Sequence, residues 1–378
     1  MFIFGPVMLL IAGVLAVYTV VDLRRHWATF WDDDVTGEDK PRAYRVVFFL
    51  FIPVGVLLHE FGHAVAVWGM GGRVVQFNWS LLSGYVVPDR TFGPLGTWWL
   101  YFSGNLVSIL LALVGLVVAV VARRPMVKFL GFAFFTMEWF FSLVGYPLLS
   151  LGSQDGDWMG IYGLPPLPLK VTLAAAHIAL IALGYVFLRS MRVRRWELML
   201  GRDNRAMIEA EEAAILAHPA DPAPRLALAQ FYAQCGETAL AKATLKDALA
   251  VAPDNLDAHI LAGAMAADGE RYAEAADQYA AAIAALPPGL QRGRVEYLQG
   301  WAWVRMDRAA DAVGALTRAI EDGFETAEAY YWRGRAYQRL RNDAAAQADF
   351  ARAAEIDATG TTGGEAAKEL AAMRQEAR

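Results

Sequence analysis

Cysteine is nearly absent: the 378 residues contain one, Cys235. Disulfide frameworks and cysteine-based zinc sites are thereby excluded, so any bound metal must take histidine and carboxylate ligands. Cys235 itself reads as a small core residue rather than a reactive thiol. The net charge is only -5, and no block of basic residues with interleaved aromatics occurs, so nothing points to nucleic acid. Residues 2–21 carry no charge before Asp22. They also lack a basic leading region and a small-x-small cleavage site, which argues against a signal peptide and for a retained membrane helix.

What is present is apolar bulk, unevenly placed. Hydrophobic residues make up 56% of the chain, with 12 Trp and 20 Phe, and the long apolar runs lie in residues 1 to about 190. From about Trp196 the chain turns rich in Ala, Glu, Asp, Arg and Gln. That split predicts two domains in different solvents, a bilayer and water. Five stretches are candidate spans: residues 2–21, about 44–68, 98–121, about 129–150 (broken near Gly145-Tyr146-Pro147) and about 171–188. Between the second and third, residues 73–80 and 84–89 read either as a small surface hairpin or as a plain connecting loop. A strand edge there could hold an extended peptide by main-chain pairing. Lys and Arg concentrate in segments 22–45, 122–128 and 189–195, which places these on the cytoplasmic side and the N-terminus outside.

The second stretch contains His59-Glu60-Phe61-Gly62-His63. On a helix, His59 and His63 lie one turn apart on one face, where both imidazoles can share a metal ion with Glu60 beside them. A zinc held by two imidazoles lowers the pKa of its bound water, and an adjacent carboxylate can take that water's proton. Two histidines and a glutamate in hydrocarbon are costly unless paired or ligated. The competing reading is a pair of satisfied core histidines. A third ligand is needed. Soluble proteins with this motif take it from a third His ten residues after the first, or from a more distant Glu. Here position 69 is Gly69, and no Glu occurs between Glu60 and Glu138. The carboxylates left are Glu138, Asp155 and Asp157. Glu138 reads as the partner of a polar group in the bundle rather than as a ligand. Asn105, after Ser103-Gly104, is a polar group that could face the site.

These residues resemble the site-2 protease family of intramembrane zinc metalloproteases, over roughly residues 40 to 165. That family pairs His-Glu-x-x-His in one transmembrane helix with an aspartate, usually followed by Gly, just after a proline-interrupted helix two spans later. The matches are His59, Glu60, His63, Pro147 and the Asp155-Gly156-Asp157 turn. The family's Asn-x-x-Pro is not matched, since position 144 is Val144. The resemblance implies that His59, His63 and one aspartate bind zinc, with Glu60 as general base. Asp155-Gly156 copies the family's Asp-Gly pair, whereas Asp157 stands at the foot of the turn where its side chain can point back. Asp157 is preferred, with Asp155 as the alternative. The family usually opens its site toward the cytoplasm, whereas the charge distribution puts His59 nearer the outer face.

In the second half a period near 34 appears. Leu228, Ala229, Tyr232, Ala241, Leu245, Ala248 and Pro253 form one copy; Ala262, Gly263, Ala266, Ala275, Tyr279, Ala282 and Pro287 repeat it. Gln299, Gly300, Trp303, Ala312, Leu316 and Ala319 make a third, displaced around Pro288-Gly289, and Arg333, Gly334, Tyr337, Ala346, Phe350 and Ala353 a fourth. The pattern resembles the tetratricopeptide repeat over about residues 222 to 358. Such repeats stack into a superhelix whose groove binds a peptide or protein. An alanine-rich spacer that binds nothing specific is the competing reading.

The expected fold is all-α: a polytopic transmembrane helix bundle of about five spans with a small surface β-hairpin, then a tetratricopeptide-repeat α-solenoid. The expected domains are residues 1–195, a linking or capping helix over 196–221, the repeats over 222–358, and a polar tail over 359–378. The expected function is an intramembrane zinc endopeptidase acting on a membrane protein substrate, in a bacterial plasma membrane with the repeats cytoplasmic. The alternative is a membrane-anchored repeat scaffold whose metal site is structural or vestigial. The expected cofactor is Zn2+, and the expected partners are the lipid bilayer, the substrate and an occupant of the repeat groove.

Overall fold

The computed structural model describes residues 4–150 and 156–376. Asp155 lies outside the described residues. The chain separates into two compact units, Met1–Ala206 and Met207–Arg378.

In the first unit, α1 (Phe4–Arg25) leads through a short turn, α2 (Trp27–Phe30), to α3 (Asp39–Val46). A π-helical turn, Val47–Phe51, joins α3 to α4 (Ile52–Gly69). Gly71 then turns the chain left-handed, at φ 75°, and ends the helix. Strands β1 (Val74–Ser80) and β2 (Ser83–Pro88) follow as an antiparallel hairpin, pairing Trp79 with Gly84 and Asn78 with Tyr85. Helix α5 (Pro94–Val121) runs back to Arg123-Arg124, and α6 (Pro125–Phe140) returns beside it. Both begin at proline, whose missing N–H costs nothing in a first turn. A second π-helical turn, Phe141–Gly145, leads into α7 (Tyr146–Ser150). Then come α8 (Asp157–Gly163), α9 (Leu167–Arg189) and α10 (Met191–Leu198). The unit boundary falls within α11 (Arg202–Ala217).

Among the described residues, four helices are long and apolar enough to cross a membrane: Asp39–Gly69, Pro94–Val121, Pro125–Ser150 and Leu167–Arg189. The break expected near Pro147 is instead a widened turn. Pro53 and Pro147 each follow a π-helical turn by two residues. A proline ring collides with the carbonyl four residues back, and the extra residue of a π-turn accommodates it without ending the helix. At one end of the unit the polar segments lock together. Asp22 accepts from Arg42 at 3.1 Å and from Arg45 at 2.6 Å, Lys40 meets Glu197 at 2.9 Å, and Asp34 accepts from the backbone of Arg202 at 2.7 Å. Phe30, Met126 and Phe129 are fully buried beneath them. Each such side chain contributes about 1.5–3 kcal/mol relative to exposure.

The second unit stacks four helix pairs: α12 (Ala223–Gln234) with α13 (Thr238–Val251), α14 (Leu256–Asp268) with α15 (Tyr272–Ala284), α16 (Leu290–Arg305) with α17 (Ala309–Glu321), and α18 (Ala327–Arg339) with α19 (Asp343–Ile356). Within a pair, a small residue on the first helix faces a large one on the second. A Cβ on Gly263 would stand 2.4 Å from the Tyr279 ring, and one on Gly300 would stand 2.6 Å from Leu316. The segment expected to be a polar tail forms α20 (Thr361–Glu376), which buries Ala366 and Met373 against the last pair. Cys235 corrects its expectation: it is exposed, because Gly236 turns the chain at φ 76° directly after α12 and leaves the thiol outside the packed pair.

Candidate metal centre

Helix α4 presents His59 and His63 on one face, and α8 begins with Asp157. The three side chains converge. Asp157 Oδ2 lies 3.0 Å from His59 Nε2 and 3.1 Å from His63 Nε2, and the two Nε2 atoms are 3.2 Å apart. Among the described residues, this is the one group of three or more His, Cys, Asp or Glu side chains with ligand atoms this close together. All three residues are at most 9% exposed.

Neighbouring groups orient each ring. His63 Nδ1 donates to the carbonyl of Leu100 at 2.6 Å, which leaves the Nε2 lone pair of a neutral ring aimed at the centre. His59 Nδ1 contacts Ser108 Oγ at 3.1 Å, and Asn105 Nδ2 donates to Asp157 Oδ2 at 3.3 Å. Ser103 completes the polar row on α5 by donating to Leu100 at 2.7 Å. Two imidazole lone pairs and a carboxylate oxygen repel one another at these distances unless a cation or shared protons lie among them. The three ligand atoms can therefore share protons or hold a metal ion.

Two glycines set how closely the neighbouring elements approach. A Cβ on Gly104 would stand 2.4 Å from His63 Nε2 and 2.6 Å from His59 Nε2, so α5 crosses the pair where no side chain fits. A Cβ on Gly84 of β2 would stand 2.4 Å from Glu60 Cγ. The hairpin thus lies directly on Glu60, whose buried Oε2 makes no hydrogen bond within the protein. Trp79 ties β1 to α4 by donating to the carbonyl of Pro53 at 3.0 Å. At the hairpin base, Arg90 and then the Arg73 backbone hold the Asp89 carboxyl well below the usual carboxylate range.

Of the residues singled out in the sequence, His59, Glu60, His63 and Asp157 come together, with Asn105 against Asp157. Glu138 stands apart from the ligand trio, across a cavity that also touches His59 and Glu60. His177, on α9, is not among these ligand atoms: it contacts Tyr162 Oη at 2.7 Å and the Leu143 carbonyl at 2.6 Å, and stacks on Trp158. Ser108, Leu100 and Gly84 were not legible as site residues. The small residues Ser103, Gly104 and Ser108 along one stretch of α5 were the available signal.

Residues 225–255 and 327–359 match the tetratricopeptide repeat family. The second unit thus carries tetratricopeptide repeats, the matches falling on its first and fourth helix pairs. Among solved structures, YrrB, described as a TPR protein with an unusual peptide-binding site, is similar at 24% identity, covering 43% of this chain and 84% of that one with a TM-score of 0.37. MamA from Desulfovibrio magneticus RS-1 is similar at 20% identity, covering 47% of this chain and 96% of that one, also with a TM-score of 0.37. No curated protein matches the chain.

Proposed function

We propose that the chain is an intramembrane zinc endopeptidase that cleaves a membrane-embedded or juxtamembrane segment of a partner protein, with the repeats recruiting or regulating that substrate. The observation that carries this reading is the convergence of His59, His63 and Asp157 beside a buried carboxylate, Glu60, that has an unpartnered oxygen. The donor set suits zinc. Ligands about 2.0–2.1 Å from a tetrahedral zinc stand roughly 3.3 Å from one another, and the three here stand 3.0, 3.1 and 3.2 Å apart. Zinc, when bound, supplies Lewis acidity toward a peptide carbonyl and acidifies water.

The protein's own groups do the rest. Glu60 takes a proton from the attacking water and returns it to the departing amide nitrogen. Ser108 and Leu100 fix the two rings. The hairpin shields Glu60 from bulk water and offers the main chain of β2 to an extended substrate segment. On this reading α1 is a fifth span, in a multi-pass protein of a bacterial plasma membrane. Segments 22–45 and 189–205 are tied together by Lys40–Glu197 and Asp34–Arg202. Their Lys and Arg content supports a cytoplasmic position for that common end and for the repeats after it.

The match to tetratricopeptide repeats favours a second reading, a membrane-anchored scaffold whose metal site is structural. A structural site needs the ligands but not the base, so Glu60 separates the two. Cleavage of a model transmembrane peptide by purified protein is the test. Turnover that falls roughly 10²–10⁴-fold in Glu60→Gln supports the endopeptidase. A wild-type protein loaded with zinc that cleaves nothing supports the scaffold.

A further inference from the structure

We propose that the cavity beside Glu60 is a subsite for a cationic side chain of the bound segment, with Glu138 as the group that recognises it. The inference rests on the endopeptidase reading. The cavity, of about 210 Å³, runs between α4, the hairpin turn and the α6–α7 span. Ile52, Val56 and Leu149 give it apolar walls, while His59 and Glu60 bring it to the candidate metal centre. Its mouth is rimmed by Leu82, Phe141 and Leu149, which are exposed. Glu138 lies in the wall contributed by α6 and is 3% exposed. Gly55 makes room for it: a Cβ there would stand 2.2 Å from Glu138 Oε1.

The cavity brings carboxylates together with the hydroxyls of Ser83, Ser108, Ser142, Ser150 and Tyr146, and no cation. Glu60 and Glu138 bring two carboxylates, and Asn105 Oδ1 and Glu60 Oε2 are buried without a hydrogen-bond partner. Among the described residues lining it, none is Lys or Arg. Ser142 offers Glu138 a hydrogen bond, but a hydroxyl brings no charge, and a carboxylate at membrane depth is costly without a cation facing it. The complement is a side chain with an apolar stem and a cationic head, and lysine and arginine have that form. The stem would lie along Ile52 and Val56, and the head would meet Glu138.

The test uses three leucine-rich transmembrane peptides of about 20 residues that differ at one central position, lysine, norleucine or glutamate. Binding is measured to zinc-loaded Glu60→Gln protein in detergent, and cleavage is measured with wild type. The lysine peptide is expected to bind roughly 30-fold more tightly than the norleucine peptide. Adding Glu138→Gln is expected to remove that preference while norleucine binding is unchanged, which also shows that the variant is folded. Glu138→Lys is expected to turn the preference toward glutamate. Equal binding of the lysine and norleucine peptides, a preference that survives Glu138→Gln, or no binding of any peptide overturns the subsite. Cleavage without preference also removes the subsite but leaves the endopeptidase standing. Preferred binding of lysine with no cleavage keeps the cation site and removes the endopeptidase.

Discussion

His177 Nε2 lies 2.6 Å from the carbonyl oxygen of Leu143, the acceptor that Pro147, four residues on, cannot serve because it has no N–H. The carbonyl fixes the proton on Nε2, so Nδ1 accepts from Tyr162 Oη at 2.7 Å. The ring also stacks on Trp158, centroids 4.5 Å apart, and Trp158 is the neighbour of Asp157. One imidazole thus joins α9, the π-turn of the preceding span and the helix that carries the candidate third ligand. A histidine in an apolar helix is explained without a catalytic role.

His177→Phe keeps a ring to stack on Trp158 but loses both polar contacts. Zinc affinity is expected to fall roughly 10-fold, with a destabilisation of about 1–3 kcal/mol. Competition with a chelator of known affinity reads the first effect and thermal melting the second. Unchanged affinity in a destabilised protein would limit His177 to a structural role.

The two glycines over the site should separate metal binding from turnover. Gly104→Ala drives a methyl into the Nε2 atoms of both histidines and should abolish zinc binding while the helical signal persists. Gly84→Ala presses on Glu60 instead. It should leave zinc bound and lower turnover, because the base is displaced and the ligands are not. Zinc content and peptide cleavage measured on the same samples check both.

Each repeat turns from its first helix to its second through a left-handed residue. In the first it is Gly236, but in the others it is Glu270, Asp307 and Arg341, at φ 57°, 61° and 57°. That conformation costs a side chain about 1–2 kcal/mol, part of which glycine returns as unfolded-chain entropy. Replacing each of the three by glycine should therefore stabilise the repeats by about 0.5–1 kcal/mol. The sites are well separated in sequence, so a triple variant should show nearly the sum in thermal melting.

The helical bundle and the repeats were legible because each rests on a long-range period: apolar runs of bilayer length, and small residues recurring every 34 or so. His59 and His63 were legible because a helix places residues four apart on one face. Choosing between Asp155 and Asp157 was harder, since the answer depends on where the turn before α8 points. The structure describes only Asp157, and brings it to the histidines. The hairpin's contact with Glu60 left no mark on the sequence beyond Gly84, because strand-to-helix packing has no local signature. Cys235 misled for a related reason: its place at the end of α12 looks like core until Gly236 turns the chain.

Zinc content per purified chain, for wild type beside His59→Ala, Asp157→Asn and Asp155→Asn, tests the central claim most directly. The account predicts one equivalent in wild type, retained in Asp155→Asn and lost in the other two. A wild-type protein without zinc, or one whose zinc survives Asp157→Asn and is lost with Asp155→Asn, would contradict it.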